Sequence, residues 1–164
     1  MIEVTYVDHM GSDLSVANAA RVSFGKKSEL DTSDPWGPPK LKDKDAKLIH
    51  YLAKHKHMSP FGHAFASFHV KAPIFVARQL VKHKFLRWNE ISRRYVDDEP
   101  EFFIPDEWRG RADDKKQGSD GVTYPDPDIY TFCNHTALRS YNELLEHGVC
   151  PEQARMVLPQ STMT

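Results

Sequence analysis

Apolar and polar residues follow two simple periods along the chain, and these periods predict its main elements. Residues 2–7 and 64–71 alternate apolar with polar positions, as half-buried strands do. Residues 45–55 place apolar side chains three and four positions apart, which is typical of a helix with one face in a core. Ser12 or Asp13 is suited to cap a further short helix that continues to Ala20.

A long helix is predicted in the last third of the chain. Asp126 is suited to its N-cap, and Gly148 is suited to end it. Its apolar stripe predicts a buried face on which Cys133 is a small hydrophobic residue rather than a nucleophile. The stripe consists of Ile129, Phe132, Cys133, Thr136, Ala137, Tyr141, Leu144 and Leu145.

Two prolines mark the beginnings of two more helices. Pro73 opens an apolar run that predicts a buried helix, because proline suits a first helical turn. Pro151 likewise predicts a short last helix, from which Arg155 projects beside buried Val157 and Leu158. The core face of the Pro73 helix is predicted to hold Ile74, Ala77, Leu80, Val81 and Phe85.

Positive charge is concentrated in residues 82–95, which we call the basic segment. It holds five Lys and Arg residues against one acid, a local charge of +4 in a chain whose net charge is -1. His83, Asn89 and Ser92 add polar groups to it. Cations, amides, hydroxyls and aromatic faces are what a phosphorylated ligand with a planar ring requires. The charged residues are Lys82, Lys84, Arg87, Arg93 and Arg94, with Glu90 as the acid.

Composition narrows the class of protein. The chain has 164 residues, 40% hydrophobic and 27% charged, which is typical of one globular domain spanning residues 1–164. No apolar run is long enough to cross a bilayer, and the N-terminus has no secretory pattern. Cys133 and Cys150 lie far apart, which favours reduced thiols and a cytoplasmic location. The abrupt end at Thr164 leads us to expect a longer parent protein.

Two polar insertions interrupt the predicted elements. Residues 25–45 are rich in charge and proline and predict a mobile loop. Trp36 within this loop is expected to pack back on the core, although closure over a ligand is a second interpretation. Residues 108–127 form the other insertion, to which we assign no function.

Four segments resemble the flavin-dependent thymidylate synthase family in the family's own order. Lys82, His83 and Lys84, then seven residues and Ser92, resemble its Arg-His-Arg, seven residues, Ser signature, with lysine replacing both arginines. The other three segments are Arg-Val-Ser-Phe at 21–24, His-x-x-Pro-Phe-x-His at 57–63, and Glu-x-Ala-Arg-x-x-Leu-Pro at 152–159. Gly62 stands where the family usually has glutamate. The resemblance implies an α+β fold in which an antiparallel sheet packs with long helices.

The resemblance also implies an activity and its reactants. The family methylates dUMP to dTMP with methylenetetrahydrofolate as carbon donor, FAD as hydride carrier and NADPH as reductant. It forms homotetramers whose active sites draw residues from several subunits, and the arginine that polarises the uracil ring would lie beyond Thr164.

Site roles follow from the same resemblance. His57 corresponds to a supporting histidine near the flavin and folate. The flavin-contacting positions are Ser23, Ser59, Lys82, His83, Lys84 and Glu90. The nucleotide-contacting positions are Gln79, Lys82, Glu90, Ser92, Arg93, Arg94 and Arg155.

Two other classes of function use the same residues. A nucleic-acid- or nucleotide-binding module without catalysis would use the basic segment, although the net charge of -1 argues against a broad basic face for nucleic acid. A metal-dependent hydrolase would use the histidines. However, the histidines at 55, 57 and 63 are not spaced as a helical metal-binding pair, and no Cys or carboxylate lies within that cluster. These histidines are His55, His57, His63, His69 and His83.

Overall fold

The computed structural model describes residues 1–96, 98–113, 118–125 and 128–164. It contains two compact units, Val4–His69 and Val70–Thr164, and the second unit also includes Met1–Glu3. The strands are β1 (Glu3–Met10), β2 (Phe65–Lys71), β3 (Trp108–Arg111) and β4 (Ser119–Tyr124). The α-helices are α1 (Asp13–Val22), α2 (Asp43–Lys54), α3 (Ile74–Leu80), α4 (Asp128–Glu146) and α5 (Pro151–Ala154).

The predicted α+β class is confirmed. Among the described residues, β1 pairs with β2 in one two-stranded sheet, and β3 pairs with β4 in another. The second sheet is an antiparallel hairpin whose register shifts between Arg109 and Arg111. It lies within the polar insertion at 108–127. None of the helices in the described ranges is both long and apolar enough to cross a membrane.

In the unit Val4–His69, α1 packs against α2 and against a 3₁₀ helix at Ser59–His63. Val16, Ala17 and Leu52 are its buried apolar residues. The turn into α1 requires glycine, because Gly11 has a φ of 78° and a Cβ there would lie 2.4 Å from the His63 carbonyl oxygen. Ser12 is the N-cap of α1, as predicted.

In the other unit, residues 160–164 run between two segments from earlier in the chain. The backbones of Ala72 and Thr164 exchange hydrogen bonds of 3.0 and 2.9 Å. On the opposite side, the Met163 N–H donates to the Glu101 carbonyl at 2.8 Å. Thr162 is only 1% exposed. The last residues of the chain are therefore part of the core of this unit.

The predicted buried stripe of α4 is only partly correct. Ile129 and Phe132 are each 68% exposed, and Cys133 is exposed, so its assignment as a core residue is wrong. The buried residues of α4 are Asn134 and Tyr141. Ser161 Oγ donates to Asn134 Oδ1 at 2.9 Å, and this buried polar contact turns the Asn134 face inward. Gly148 ends α4 as predicted, whereas the proposed cap Asp126 lies outside the described residues.

Other predictions of burial are also wrong. The Pro73 helix ends at Leu80, and the turns that follow leave Val81 47% and Phe85 81% exposed. Val157 is 39% exposed in the 3₁₀ helix that follows α5. Trp36 is 97% exposed, so its expected packing on the core is wrong; its backbone N–H donates to Asp34 Oδ1 at 3.0 Å in a local turn.

Candidate functional site

The basic segment begins in a series of turns directly after α3. Backbone bonds from Lys82 to Gln79 and from His83 to Leu80 close these turns at 3.3 and 3.1 Å. All residues from 81 to 90 are exposed. The Lys82 side chain donates to Gln79 Oε1 at 3.1 Å, which joins two predicted ligand-binding residues. Within the described ranges, the side chains of His83 and Lys84 make no hydrogen bond or ion pair. These groups are free to bind an anion.

Glu90 is held from both sides. Its Oε1 accepts a hydrogen bond of 2.6 Å from Thr164 Oγ1, and its Oε2 accepts one of 3.3 Å from Trp88 Nε1. Thr164 directly follows residues 161–163, which are buried. The carboxylate of Glu90 therefore has a fixed position, which the predicted role in ligand binding requires.

Arg94, Glu152 and Arg155 form a cluster, which we call the Glu152 cluster. Arg94 Nε lies 3.7 Å from Glu152 Oε1, and Arg155 Nε donates to the Glu152 carbonyl at 3.2 Å. The Arg94 guanidinium also lies 5.2 Å from the centre of the Tyr95 ring. Both arginines were predicted to contact the nucleotide. Two guanidinium groups with one carboxylate leave an excess positive charge, which suits a phosphate.

Ser92 and Arg93 lie beside this cluster. Ser92 Oγ accepts a hydrogen bond of 3.4 Å from the Arg94 N–H. The Arg93 side chain is 14% exposed and donates to the Asp98 carbonyl at 2.6 Å. Its Nε is buried and unpaired among the described residues. The nucleotide role of Arg93 stays a prediction that this geometry does not test.

Ser23, His57 and Ser59 lie in the unit Val4–His69, and all three are exposed. Ser23 is the C-cap of α1, and Ser59 begins the 3₁₀ helix that packs against α1. The His57 N–H donates to the Leu52 carbonyl at 2.9 Å, after a left-handed turn at Lys56 with a φ of 57°. The His57 ring stands edge-on to Tyr51.

Asp45 is the central residue that sequence reasoning missed. It is fully buried in the first turn of α2, and its Oδ1 accepts hydrogen bonds from Arg21 Nε at 2.9 Å and Ser28 Oγ at 2.8 Å. Burial acts to raise the pKa of Asp45, but hydrogen bonds from Arg21 and Ser28 and nearby positive charge outweigh it and hold that pKa below its usual value. In the sequence, Asp45 is indistinguishable from an ordinary acid in a first helical turn.

The polar groups of the basic segment have the chemistry that a flavin nucleotide requires. No group of three metal-ligating residues is found in the described parts of the chain, where all five histidines of the metal hypothesis lie. The exposed Lys82, Lys84 and Arg87 supply charge suited to a diphosphate, and the fixed Glu90 carboxylate supplies acceptors for ring or sugar donors.

Comparison with known proteins decides the family. The family model described as thymidylate synthase complementing protein matches residues 5–164. The chain belongs to the flavin-dependent thymidylate synthase family. The sequence prediction of the family is therefore confirmed.

Two relatives and one solved structure illustrate the similarity. The flavin-dependent thymidylate synthases of Thermosipho africanus and Thermus thermophilus are 40% and 41% identical over 163 residues, covering 96% and 98% of the chain. The crystal structure of a UMP/dUMP methylase, PolB from Streptomyces cacaoi, bound with 5-Br dUMP, has a TM-score of 0.74 and 35% identity. That alignment covers 99% of this chain and 69% of PolB.

The chain is shorter than these flavin-dependent thymidylate synthases. It spans 67% of the length of the Thermosipho protein and 56% of the Thermus protein.

Proposed function

We propose that the protein methylates dUMP to dTMP, with methylenetetrahydrofolate as carbon donor and FAD reduced by NADPH. The Glu152 cluster carries this proposal. It brings together Arg94 and Arg155, which come from two separate family segments, and leaves the positive charge that a nucleotide phosphate requires. The names of the relatives support a flavin as the cofactor and a uridine nucleotide as the substrate.

The roles proposed for this chain's residues are carried over from the family pattern. Arg94 and Arg155 bind the nucleotide phosphate, while Gln79 and Ser92 supply neutral hydrogen bonds to the nucleotide. Arg93 is assigned to the nucleotide by the family pattern alone. These groups act by orientation, because placing reactants correctly accounts for much of the rate in such reactions.

A second set of residues is assigned to the flavin. Lys82, His83 and Lys84 attract its phosphates, and Glu90 accepts hydrogen bonds from it. Ser23, Ser59 and His57 are assigned to the flavin by family pattern. FAD would supply the hydride chemistry that side chains lack. We further propose a homotetramer in the cytoplasm, as in the family.

A methylation assay tests the proposed function. The chain is incubated with FAD, NADPH, methylenetetrahydrofolate and dUMP carrying tritium at C5, which is released when a methyl group replaces the C5 hydrogen. We expect tritium release that depends on FAD. UMP serves as a competing nucleotide, because PolB is named for both nucleotides.

Binding measurements accompany the assay. Binding of FAD and dUMP without release of tritium would support the binding roles and contradict methylation by this chain. A folded chain that binds neither ligand would contradict the proposal.

A further inference from the structure

The Asp45 network joins α2 to the segment that follows α1. The network consists of Asp45, Arg21, Ser28 and Asn18. Arg21 donates to Asp45 Oδ1 through both Nε and Nη2, and Ser28 donates to the same oxygen through its hydroxyl. Asn18 then holds the Ser28 backbone by accepting from its N–H at 2.6 Å and donating to its carbonyl at 3.1 Å. One buried carboxylate thus binds both the last turn of α1 and the loop that follows it.

These two points enclose Ser23. Residues 21–28, which we call the serine segment, leave α1 in a tight turn. The N–H groups of Phe24 and Lys26 both donate to the Arg21 carbonyl, at 2.9 and 3.1 Å. Gly25 completes the turn with a φ of 60°. Ser23 itself is exposed, so its hydroxyl is presented by a backbone that is fixed at both ends.

Burial of the Asp45 carboxylate costs free energy and contributes little net stability to the fold. A buried ion pair is often no more stabilising than apolar residues of the same volume, because both charges lose their hydration. In the described part of the chain, Asp45 Oδ2 is buried without a hydrogen-bond partner, which adds to that cost. The carboxylate instead fixes the position of the backbone around Ser23, because one of its oxygens accepts hydrogen bonds from residues on both sides of Ser23.

We propose that Asp45 is a positioning residue for the flavin cofactor, which acts by fixing the serine segment so that Ser23 meets the flavin in a preformed position. The inference rests on the proposed function only for the identity of the ligand. Without Asp45, the serine segment becomes ordered only when the flavin binds. The entropy lost in this ordering weakens the affinity for the flavin.

Asp45→Asn tests this proposal, with Asp43→Asn as the matched control. Asp43 lies on the same helix and is exposed, and its side chain makes no hydrogen bond to a described residue. Two quantities are measured on the full chain: amide hydrogen exchange of residues 22–29 without ligand, and the dissociation constant for FAD. We expect Asp45→Asn to speed the exchange and weaken FAD binding about tenfold each, and Asp43→Asn to change neither more than about twofold.

A double-mutant cycle with Ser23→Ala separates positioning from general stability. If Asp45 acts through Ser23, Asp45→Asn should weaken FAD binding less than about twofold in the Ser23→Ala background. Equal effects in both backgrounds would overturn the proposal. Ser28→Ala is the milder variant should Asp45→Asn fail to fold, and we expect it to weaken FAD binding about threefold by removing one bond to the carboxylate.

The outcomes distinguish the inference from the proposed function. If FAD binds and Ser23→Ala weakens it while Asp45→Asn and Ser28→Ala do not, the inference is wrong and the proposed function stands. If the folded wild-type chain binds no FAD, the proposed function and the cofactor role of Asp45 are both wrong. Unchanged exchange of residues 22–29 in Asp45→Asn would also overturn the inference, whatever FAD does.

Discussion

The serine segment and the basic segment both carry predicted flavin contacts, but they differ in how firmly the fold holds them. The serine segment is fixed by a buried carboxylate and by the Asn18 side chain. The basic segment exposes every residue from 81 to 90, and its Lys82 side chain donates a hydrogen bond to the neighbouring Gln79. One region is preorganised by the fold, whereas the other keeps its cations available. Changes in the serine segment should therefore affect stability as well as flavin affinity, whereas changes in the basic segment should affect ligand affinity alone.

The largest expected effect is on stability and comes from Arg21→Ala. This change leaves the Asp45 carboxylate buried without its cation, which should lower the free energy of unfolding by about 3 kcal/mol. Lys84→Ala, in the exposed basic segment, should change it by less than about 0.5 kcal/mol. Urea unfolding measures both. Equal losses for the two variants would remove the contrast between the segments.

A large effect on affinity is expected from Arg155→Ala. Loss of a charge-assisted hydrogen bond to the phosphate should weaken dUMP binding about tenfold to one hundredfold, measured by isothermal titration. Arg139→Ala is the control, because Arg139 is an exposed helical arginine that pairs with Glu143. If the two variants lost the same affinity, the Glu152 cluster would be an ordinary surface ion pair.

Acid should weaken the preorganised region. The pKa of Asp45 in the folded protein lies below its usual value, so the unfolded chain takes up the proton at a higher pH than the folded chain does. The stabilisation is therefore complete above the usual Asp pKa of about 3.9 and is lost as the pH falls through the lower folded value. Urea unfolding at a series of pH values should show this loss in the wild type and a smaller one in Asp45→Asn. Identical pH profiles would show that Asp45 does not contribute.

The smallest effect is expected from restoring the family arginines. Lys82→Arg with Lys84→Arg should tighten FAD binding about two- to fivefold, because guanidinium groups can donate two parallel hydrogen bonds to a phosphate. Lys47→Arg, on the exposed face of α2, is the control for added arginine. Fluorescence titration of FAD measures the change. Weaker binding in the double variant would mean that the two lysines do not face the phosphates.

The sequence predicted the elements better than it predicted their buried faces. The strand at 64–71, the helix that follows Pro73 and the end of α4 at Gly148 depend on local patterns, and the structure contains all three. Burial depends on distant partners. Ile129 and Phe132 lie on the exposed side of α4, whereas Asn134 is buried and accepts a hydrogen bond from Ser161.

The candidate site divides in the same way. Four sequence segments indicated the family and the residues of the basic segment. No sequence pattern indicated the contact of Thr164 with Glu90 or of Asp45 with Arg21, because each pair is far apart in the chain and formed by common surface residue types. Sequence reasoning identified groups that can touch a ligand and missed those that hold them.

An equilibrium titration measures whether this chain binds a flavin together with a uridine nucleotide. FAD fluorescence is titrated with the chain in the absence and presence of saturating dUMP. We expect saturable binding that becomes tighter with dUMP and is weakened in Arg155→Ala only when dUMP is present. A folded chain that leaves FAD fluorescence unchanged under both conditions would contradict this expectation.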